Sequence, residues 1–305
     1  MFTFYLHYEY WFAAVQLILA MLGMGATLTL KDFRDVLVEP KAVSTGLLIQ
    51  LVAIPLVTFL LIQGLDLHPG VAVGFAIIAA VPGGTVSNIF THFSFGNTAL
   101  SISLTGVTTL ACLVTTPFIL ELLIAPYMPE DFSMPAARVA LEIGAFLLLP
   151  LFVGMLFLRV FPVHADTFSR YCIRGCLLVI LLIVIGSLGA GRLDFQAFGI
   201  INILLVAGLI GVFALLSRPF CRLLNLPHAD LTAIEMEVVV RNINLGFLIK
   251  ASLFPVVVGQ SDPIGDMVLF TLLVFGGLEL ATGALIVWLH RRQKAMQAGA
   301  GSNAE

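Results

Sequence analysis

Two short polar stretches interrupt segments that are otherwise almost wholly apolar. They are "VPGGTVSN" at positions 81–88 and "EMEVVVRNIN" at positions 235–244. Their polar members are Thr85, Ser87, Asn88, Glu235, Glu237, Arg241, Asn242 and Asn244. Hydroxyl, amide and carboxylate oxygens suit alkali and alkaline-earth cations rather than zinc or copper. One of these carboxylates shared among neutral oxygens balances a monovalent ion better than a divalent one, so these residue types favour sodium.

The backbone of the first stretch is also unusual. Pro82 has no N–H to donate, and Gly83 and Gly84 permit unwinding or the close approach of another segment. In lipid, the carbonyls that such a break releases need new partners. The alternative is a plain kink that packs against a neighbouring helix, since proline and glycine are common in membrane helices.

The second stretch places several charges at or near membrane depth. Each buried charge costs roughly 2.5–3.5 kcal/mol on insertion scales, so the cluster indicates a functional site. A structural alternative exists here too. Glu237 and Arg241 lie four positions apart and would form an ion pair on an intact helix.

The composition indicates whether the chain folds in water or in a lipid bilayer. Of its 305 residues, 60% are hydrophobic and 11% are charged, and the mean hydropathy is +1.07. These values are typical of an integral membrane protein, and apolar runs of about 20 residues select helices. We therefore predict an all-α membrane protein with nine spans. The spans lie at about 9–30, 42–65, 70–92, 97–125, 138–160, 168–190, 196–224, 229–255 and 265–290.

The basic residues predict the orientation. Eleven of the fifteen lysines and arginines fall after the first span, in alternate later connections and in the tail. The positive-inside rule makes that side cytoplasmic. We expect a multi-pass protein of the plasma (inner) membrane, with the N-terminus outside and the C-terminus in the cytoplasm. The eleven are Lys31, Arg34, Lys41, Arg159, Arg170, Arg174, Arg218, Arg222, Arg291, Arg292 and Lys294.

Two interrupted spans, one in each half of the chain, are typical of a secondary transporter with inverted repeats. Its binding site lies where the broken helices meet near the midplane, and one bundle moves against the other to give alternating access. No nucleophile elbow, H-E-x-x-H signature or paired-aspartate motif is present, so we do not expect an enzyme. Proton-coupled transport through Glu237 or Glu279 stays open, as does a sensor or scaffold with a vestigial site.

Three stretches together resemble the bile acid:sodium symporter family. They are "LGMGATLTLKDF", "VPGGTVSNIFTHFSFGNTALSISLTGVTTL" and "EVVVRNINLG". The resemblance implies a core domain and a panel domain in a five-plus-five inverted repeat of ten helices, of which this chain lacks the first. One transporter unit at 1–290 would then contain repeats at about 9–125 and 138–290. We expect 291–305 to be a disordered cytoplasmic tail.

The resemblance also implies a first sodium site. Its ligands would be Ser87, Asn88, Ser101, Thr105 and Glu237. The spacing of Ser101 and Thr105 agrees with this independently, because residues four apart share one helix face. Such a pair more often bonds back to its own helix.

The family's second sodium site is altered here. Gln50 and the backbone after Glu237, at Val238 and Val240, fit the pattern, but Arg241 stands where the family has glutamine. A guanidinium cannot ligate a cation. We hypothesise that Arg241 replaces the second sodium, which leaves one transported ion. Direct pairing of Arg241 with an anionic substrate is the competing role.

By the same resemblance, the substrate is an organic anion with an apolar body, either bile-acid-like or a small carboxylate. It would bind near Thr85, Asn242, Asn244 and Arg241. The lipid bilayer is the other partner, and no nucleic acid is expected. The oligomeric state stays open, with a monomer plausible. For Glu279 four roles stay open: an ion pair with Arg241, a proton site, a cavity-facing carboxylate and a protonated carboxyl. We expect Lys250, which lies nearer the outer end of its helix, to snorkel to the interface.

Overall fold

The computed structural model of the chain describes residues 2–35, 40–128, 133–257 and 259–302. Within these ranges the regular structure is helical, apart from one isolated antiparallel bridge between Gly83 and Arg241. The helices are α1 Phe2–Gly25, α2 Leu30–Asp35, α3 Pro40–Gly64, α4 Pro69–Ala80, α5 Thr85–Phe93, α6 Thr98–Ile124, α7 Ala136–Val160, α8 Pro162–Gly189, α9 Phe195–Leu223, α10 His228–Val239, α11 Ile243–Leu253 and α12 Pro263–Ser302. Helix α3 contains a π-helical stretch at Ile49–Ala53, and α7 contains one at Ile143–Leu148.

Six of the described helical segments are long and apolar enough to cross a membrane. They are α3, α6 with its following 3₁₀ turn, α7, α8, α9 and the Pro263–Lys294 part of α12. The all-helical prediction is confirmed. The count of nine spans stays a prediction, because it also requires α1 and the two interrupted segments, α4–α5 and α10–α11, to cross.

Several helix ends differ from the predicted spans. Helix α1, the first predicted span, ends at Gly25 rather than 30. Helix α8, the sixth predicted span, begins at Pro162 rather than 168. The last continues to Ser302, beyond the predicted boundary at 290. Its extension contacts the body of the protein, since Arg291 donates to the Phe93 carbonyl and Lys294 lies over the Phe95 ring. Positions 303–305 of the predicted tail lie outside the described residues.

The two interrupted helices cross at their breaks. Helix α4 ends at Ala80, before Pro82, and α5 begins only at Thr85. Helix α10 ends at Val239. Helix α11 begins at Ile243, and the side chain of Asn242 caps its start by accepting a hydrogen bond from the Leu245 N–H. The two unwound segments then satisfy each other's backbone groups: Gly84 N–H donates to Val240 O at 2.9 Å, and Asn242 N–H donates to Pro82 O at 2.8 Å. The breaks are thus a paired crossing rather than independent kinks.

Gly84 allows the two segments to come this close. A Cβ built on Gly84 would lie 2.8 Å from the Arg241 carbonyl oxygen. Only a residue without a side chain permits that approach. The glycine therefore contributes directly to the crossing.

The helices pack in two groups. Helix α1 packs along α8 and the second half of α7, and we call these three helices the panel layer. Helix α4 packs on α6 and α12, while α10 packs on α5, α6 and α9; these helices, with α11, form the crossing bundle. Helices α1 and α11 meet where the groups face each other.

Candidate functional site

The carboxylate of Glu237 is the centre of a buried polar cluster beside the crossing. Glu237 lies in the last turn of α10 and is fully buried. It accepts hydrogen bonds from Ser87 Oγ at 2.5 Å and from Thr105 Oγ1 at 2.7 Å. Ser101 Oγ lies 3.4 Å from Oε2 of the same carboxylate. The three hydroxyls come from α5 and α6, so the cluster joins three helices.

Asn88 completes this cluster. Its Oδ1 accepts hydrogen bonds from Ser101 Oγ at 2.7 Å and from Thr105 Oγ1 at 3.3 Å. The structure thus brings together all five residues that the sequence predicted as sodium ligands. Thr91, which the sequence analysis missed, donates to Ser101 Oγ at 3.2 Å. Its position two turns into α5 on the side of Ser87 is the signal that could have found it.

The oxygen atoms of the cluster are of the types that small hard cations prefer. Its donor atoms are hydroxyl, amide and carboxylate oxygens from elements on both sides of a helix break. In the structure the hydroxyls and the carboxylate satisfy one another. Rotation of the hydroxyl hydrogens away from the carboxylate would free the same oxygens to act as ligands.

The guanidinium of Arg241 points to helix α4 and to Gln50. Its Nη1 donates to Gln50 Oε1 at 3.1 Å, and its Nη2 donates to the carbonyls of Ala79 (3.3 Å) and Val81. Its Nε lies 3.4 Å from the carbonyl of Ile78. The cation thus satisfies the carbonyls that the end of α4 leaves without helical partners.

The Glu237–Arg241 ion pair that an intact helix would allow is not formed. Helix α10 ends at Val239, between the two residues, and no side-chain contact within ion-pair distance joins them in the described chain. Val238 and Val240 are the other two residues predicted for the second sodium site. Val238 lies in the last turn of α10. The carbonyl of Val240 accepts the hydrogen bond from Gly84.

A cavity of about 340 Å³ lies between the panel layer and the crossing. All four predicted substrate-binding residues line it: Thr85, Arg241, Asn242 and Asn244. Apolar side chains form most of the remaining wall, among them Ile180 and Phe247. Helices α5 and α11 both begin at this cavity. Their positive ends can therefore face an anion there.

Glu279 also lines the cavity. Its Oε2 accepts a hydrogen bond from the backbone N–H of Arg241 at 2.7 Å. The described contact is therefore with the peptide group at the break and not with the guanidinium. Oε1 accepts no hydrogen bond from the residues that the structure describes. Among the roles left open by the sequence, a cavity-facing carboxyl fits this geometry.

The expectation that Lys250 snorkels is wrong. Its side chain is 1% exposed, and Nζ donates to Glu9 Oε1 at 2.9 Å. Glu9 also accepts from Arg192, which in turn donates to Asp266. The sequence analysis missed this network because its members lie far apart along the chain. Glu235, the second glutamate of the polar stretch, is buried and paired with Arg218 at 3.1 Å.

Comparison with known proteins agrees with the geometry. The family model of the sodium bile acid symporter family matches residues 14–193. A Bacillus subtilis protein named as an uncharacterized sodium-dependent transporter, YocS, is 30% identical over 77% of this chain and 72% of its own length. A rice chloroplast protein, the probable sodium/metabolite cotransporter BASS2, is 37% identical over 47% of this chain and 33% of its own. The human ileal sodium/bile acid cotransporter is 29% identical over 57% of this chain and 50% of its own.

Proposed function

Because the chain belongs to the sodium bile acid symporter family, whose members are transporters and not enzymes, we propose that it carries a small organic anion together with sodium by alternating access. The observation that carries this proposal is the convergence of three hydroxyls on the Glu237 carboxylate, two of which also bond to the Asn88 amide oxygen. No catalytic group is needed for this function.

Sodium would bind within the cluster formed by Ser87, Asn88, Ser101, Thr105 and Glu237. The carboxylate supplies the negative charge, and the neutral oxygens replace the hydration shell of the ion. Sodium would thereby join α5, α6 and α10 at the crossing. Without the ion, the ionised carboxylate would be a buried charge compensated only by hydrogen bonds, which is costly in lipid.

Coupling to the substrate follows from short connections along the chain. Thr85, in the cavity wall, lies two residues before Ser87. Asn242, also in the wall, follows Glu237 by five residues through the unwound segment. An ion that fixes Ser87 and Glu237 also fixes the two helix starts that face the cavity. Substrate affinity should therefore rise with sodium, and sodium affinity with substrate, by the same factor.

We assign one sodium ion per transport cycle. The guanidinium of Arg241 bonds to Gln50 Oε1, which belongs to the predicted second site, and to the carbonyls at the end of α4. Its fixed positive charge makes a second ion unfavourable there at short range. Because its described hydrogen bonds go to α3 and α4, the competing role in substrate pairing has less support.

The cavity favours a small carboxylate over a bile-acid-like molecule. Its volume of about 340 Å³ is at the low end of the roughly 300–1,000 Å³ of ligand pockets. The anionic group would face the starts of α5 and α11, and the apolar body would contact the panel layer. Domain movement that widens the cavity would admit larger anions.

For the placement in the cell we propose the plasma (inner) membrane, with the N-terminus outside. The predicted cytoplasmic side carries eleven of the fifteen basic residues, as the positive-inside rule requires. One chain contains the whole cluster and cavity, so a monomer would suffice for transport.

The test is uptake into proteoliposomes. With an inward sodium gradient, purified protein should accumulate a radiolabelled small carboxylate, and Glu237→Gln should abolish the sodium stimulation. A panel of carboxylates of increasing size identifies the substrate class. Equal uptake when potassium replaces sodium at fixed pH would refute sodium coupling.

Proton coupling is the alternative that one observation favours. Glu279 places a carboxyl group in the cavity wall with one described hydrogen bond. If protons drive transport, uptake should follow a pH gradient without sodium, and Glu279→Gln should remove that dependence. Under sodium coupling, Glu279→Gln should keep sodium-driven uptake.

A further inference from the structure

Four charged side chains form one network at one end of the cavity. Glu9 accepts hydrogen bonds through Oε1 from Lys250 Nζ at 2.9 Å and from Arg192 Nη1 at 2.7 Å. The Nε of Arg192 donates to Asp266. Glu9, Arg192 and Lys250 are each more than nine-tenths buried. Exposed ion pairs contribute little to stability, whereas removing one partner of a buried pair is strongly destabilising.

The network joins the two helix groups. Glu9 lies on α1. Arg192 follows α8, and its N–H donates to the Ser187 carbonyl of that helix, so both residues are attached to the panel layer. Lys250 lies on α11 and Asp266 lies in the first turn of α12, on the side of the crossing bundle. Two contacts, Lys250–Glu9 and Arg192–Asp266, cross between the groups. The third, Glu9–Arg192, stays within the panel layer.

The network is placed to close the cavity. The helices that carry or precede its four residues also line the cavity, through Ala20, Val184, Phe247 and Leu273. On each of them the charged residue lies about one to three helical turns farther along, always toward the same end. That end carries the α8–α9 and α11–α12 connections, which we place outside the cell.

The arrangement of charge allows the groups to separate. Glu9 with Arg192 is neutral, and so is Lys250 with Asp266. Parting therefore leaves each group with one charge of each sign instead of an uncompensated buried charge, which would be strongly unfavourable. A second cavity, of about 620 Å³, borders Arg192 and Asp266. Water in it can solvate these two charges when they part.

We propose that Glu9, Arg192, Lys250 and Asp266 form an ionic gate that closes this end of the transport path and parts once in each cycle. The inference rests on the alternating-access function proposed above. It does not depend on which anion is carried or on the number of sodium ions.

A cross-link across the gate tests this directly. Glu9→Cys with Lys250→Cys removes one charge of each sign and leaves Arg192 paired with Asp266. In a background with the four native cysteines replaced by alanine, a short bifunctional thiosulfonate should stop uptake, and reduction should restore it.

The matched control joins α1 to α8 inside the panel layer, by Tyr5→Cys with Ser187→Cys, whose native hydroxyls are 2.8 Å apart. This cross-link should leave uptake unchanged. Full uptake by the cross-linked gate variant, with the bond verified by mass spectrometry, would overturn the proposal.

A native thiol provides a second test that needs no transport. Cys176 of α8 lines the cavity. In Lys250→Met, a membrane-impermeant thiosulfonate added outside should label Cys176 at least about tenfold faster than in the wild type, since the closed state loses one gate contact. Arg138→Met, which breaks the pair of the exposed Arg138 with Glu142 on α7, is the control and should not change labelling. Unchanged labelling in Lys250→Met that keeps its sodium-induced thermal shift contradicts the gate. Faster labelling without uptake of any anion instead contradicts the transport function.

Discussion

Gly83 lies directly against the carboxylate of Glu237. A Cβ built on this glycine would stand 1.9 Å from Glu237 Oε1 and 2.4 Å from its Cδ. Real Cβ atoms essentially never approach another atom below 3.0 Å. The glycine pair is therefore more than a helix breaker. Gly83 provides the space in which the charged centre of the proposed sodium site lies.

Replacing Gly83 by alanine should abolish sodium-dependent behaviour. The methyl group would displace the Glu237 carboxylate from the hydroxyls of α5 and α6, because the unwound backbone on either side is held by the crossing. We expect loss of both sodium-stimulated uptake and the sodium-induced thermal shift. Gly208→Ala is the control, since a Cβ at Gly208 on α9 meets no atom within 4 Å. A normal sodium-induced thermal shift in Gly83→Ala would contradict the site.

Thr105 tests the cation site through a single hydroxyl. Thr105→Val removes the group that donates to Glu237 at 2.7 Å and nearly conserves volume. Because Thr105 is one of the proposed sodium ligands, its loss should raise the sodium concentration for half-maximal uptake about tenfold, which corresponds to about 1.4 kcal/mol. Thr108→Val is matched, because the Thr108 hydroxyl donates to the Leu104 carbonyl on the same helix. An equal effect of the two variants would mean that the loss is structural.

Local signals predicted most of the proposed site. Pro82 and the two glycines predicted the first break, because their effects on the backbone need no tertiary information. The resemblance supplied Ser101 and Thr105, whose four-residue spacing already placed them on one helix face. The polar run around Glu237 indicated the second broken segment, although hydropathy alone would have predicted one continuous helix there.

The charge network could not be predicted in the same way. Lys250 lies 241 positions from Glu9, and nothing in the sequence near either residue indicates the other. A lysine near a helix end has a generic alternative, the interface, and only the packing of α1 against α11 removes it. The end of α12 was missed for a related reason, since its contacts are with Phe93 and Phe95 far earlier in the chain.

Substitution of Arg241 tests the number of sodium ions carried per substrate. Arg241→Gln removes the fixed charge among Gln50 Oε1 and the carbonyls of α4 and leaves neutral oxygens in its place. A second sodium ion should then bind, so flux of labelled sodium per substrate should rise from one to two. Arg241→Lys keeps the charge and should keep the wild-type ratio. Two sodium ions per substrate in the wild-type protein would refute the assignment.

Gly277 gives access to the cavity without touching the cation cluster. It lines the cavity on α12, and a Cβ there would meet no protein atom within 4 Å. Gly277→Val should therefore fit the helix while its methyl groups occupy space that a substrate would use. We expect the sodium-induced thermal shift to persist and uptake to fall, more steeply for larger carboxylates than for small ones. Gly211→Val on α9, where a Cβ also meets nothing within 4 Å, should leave uptake unchanged. If Gly277→Val lowered the uptake of all carboxylates equally, this wall of the cavity would not be the surface that selects substrate size.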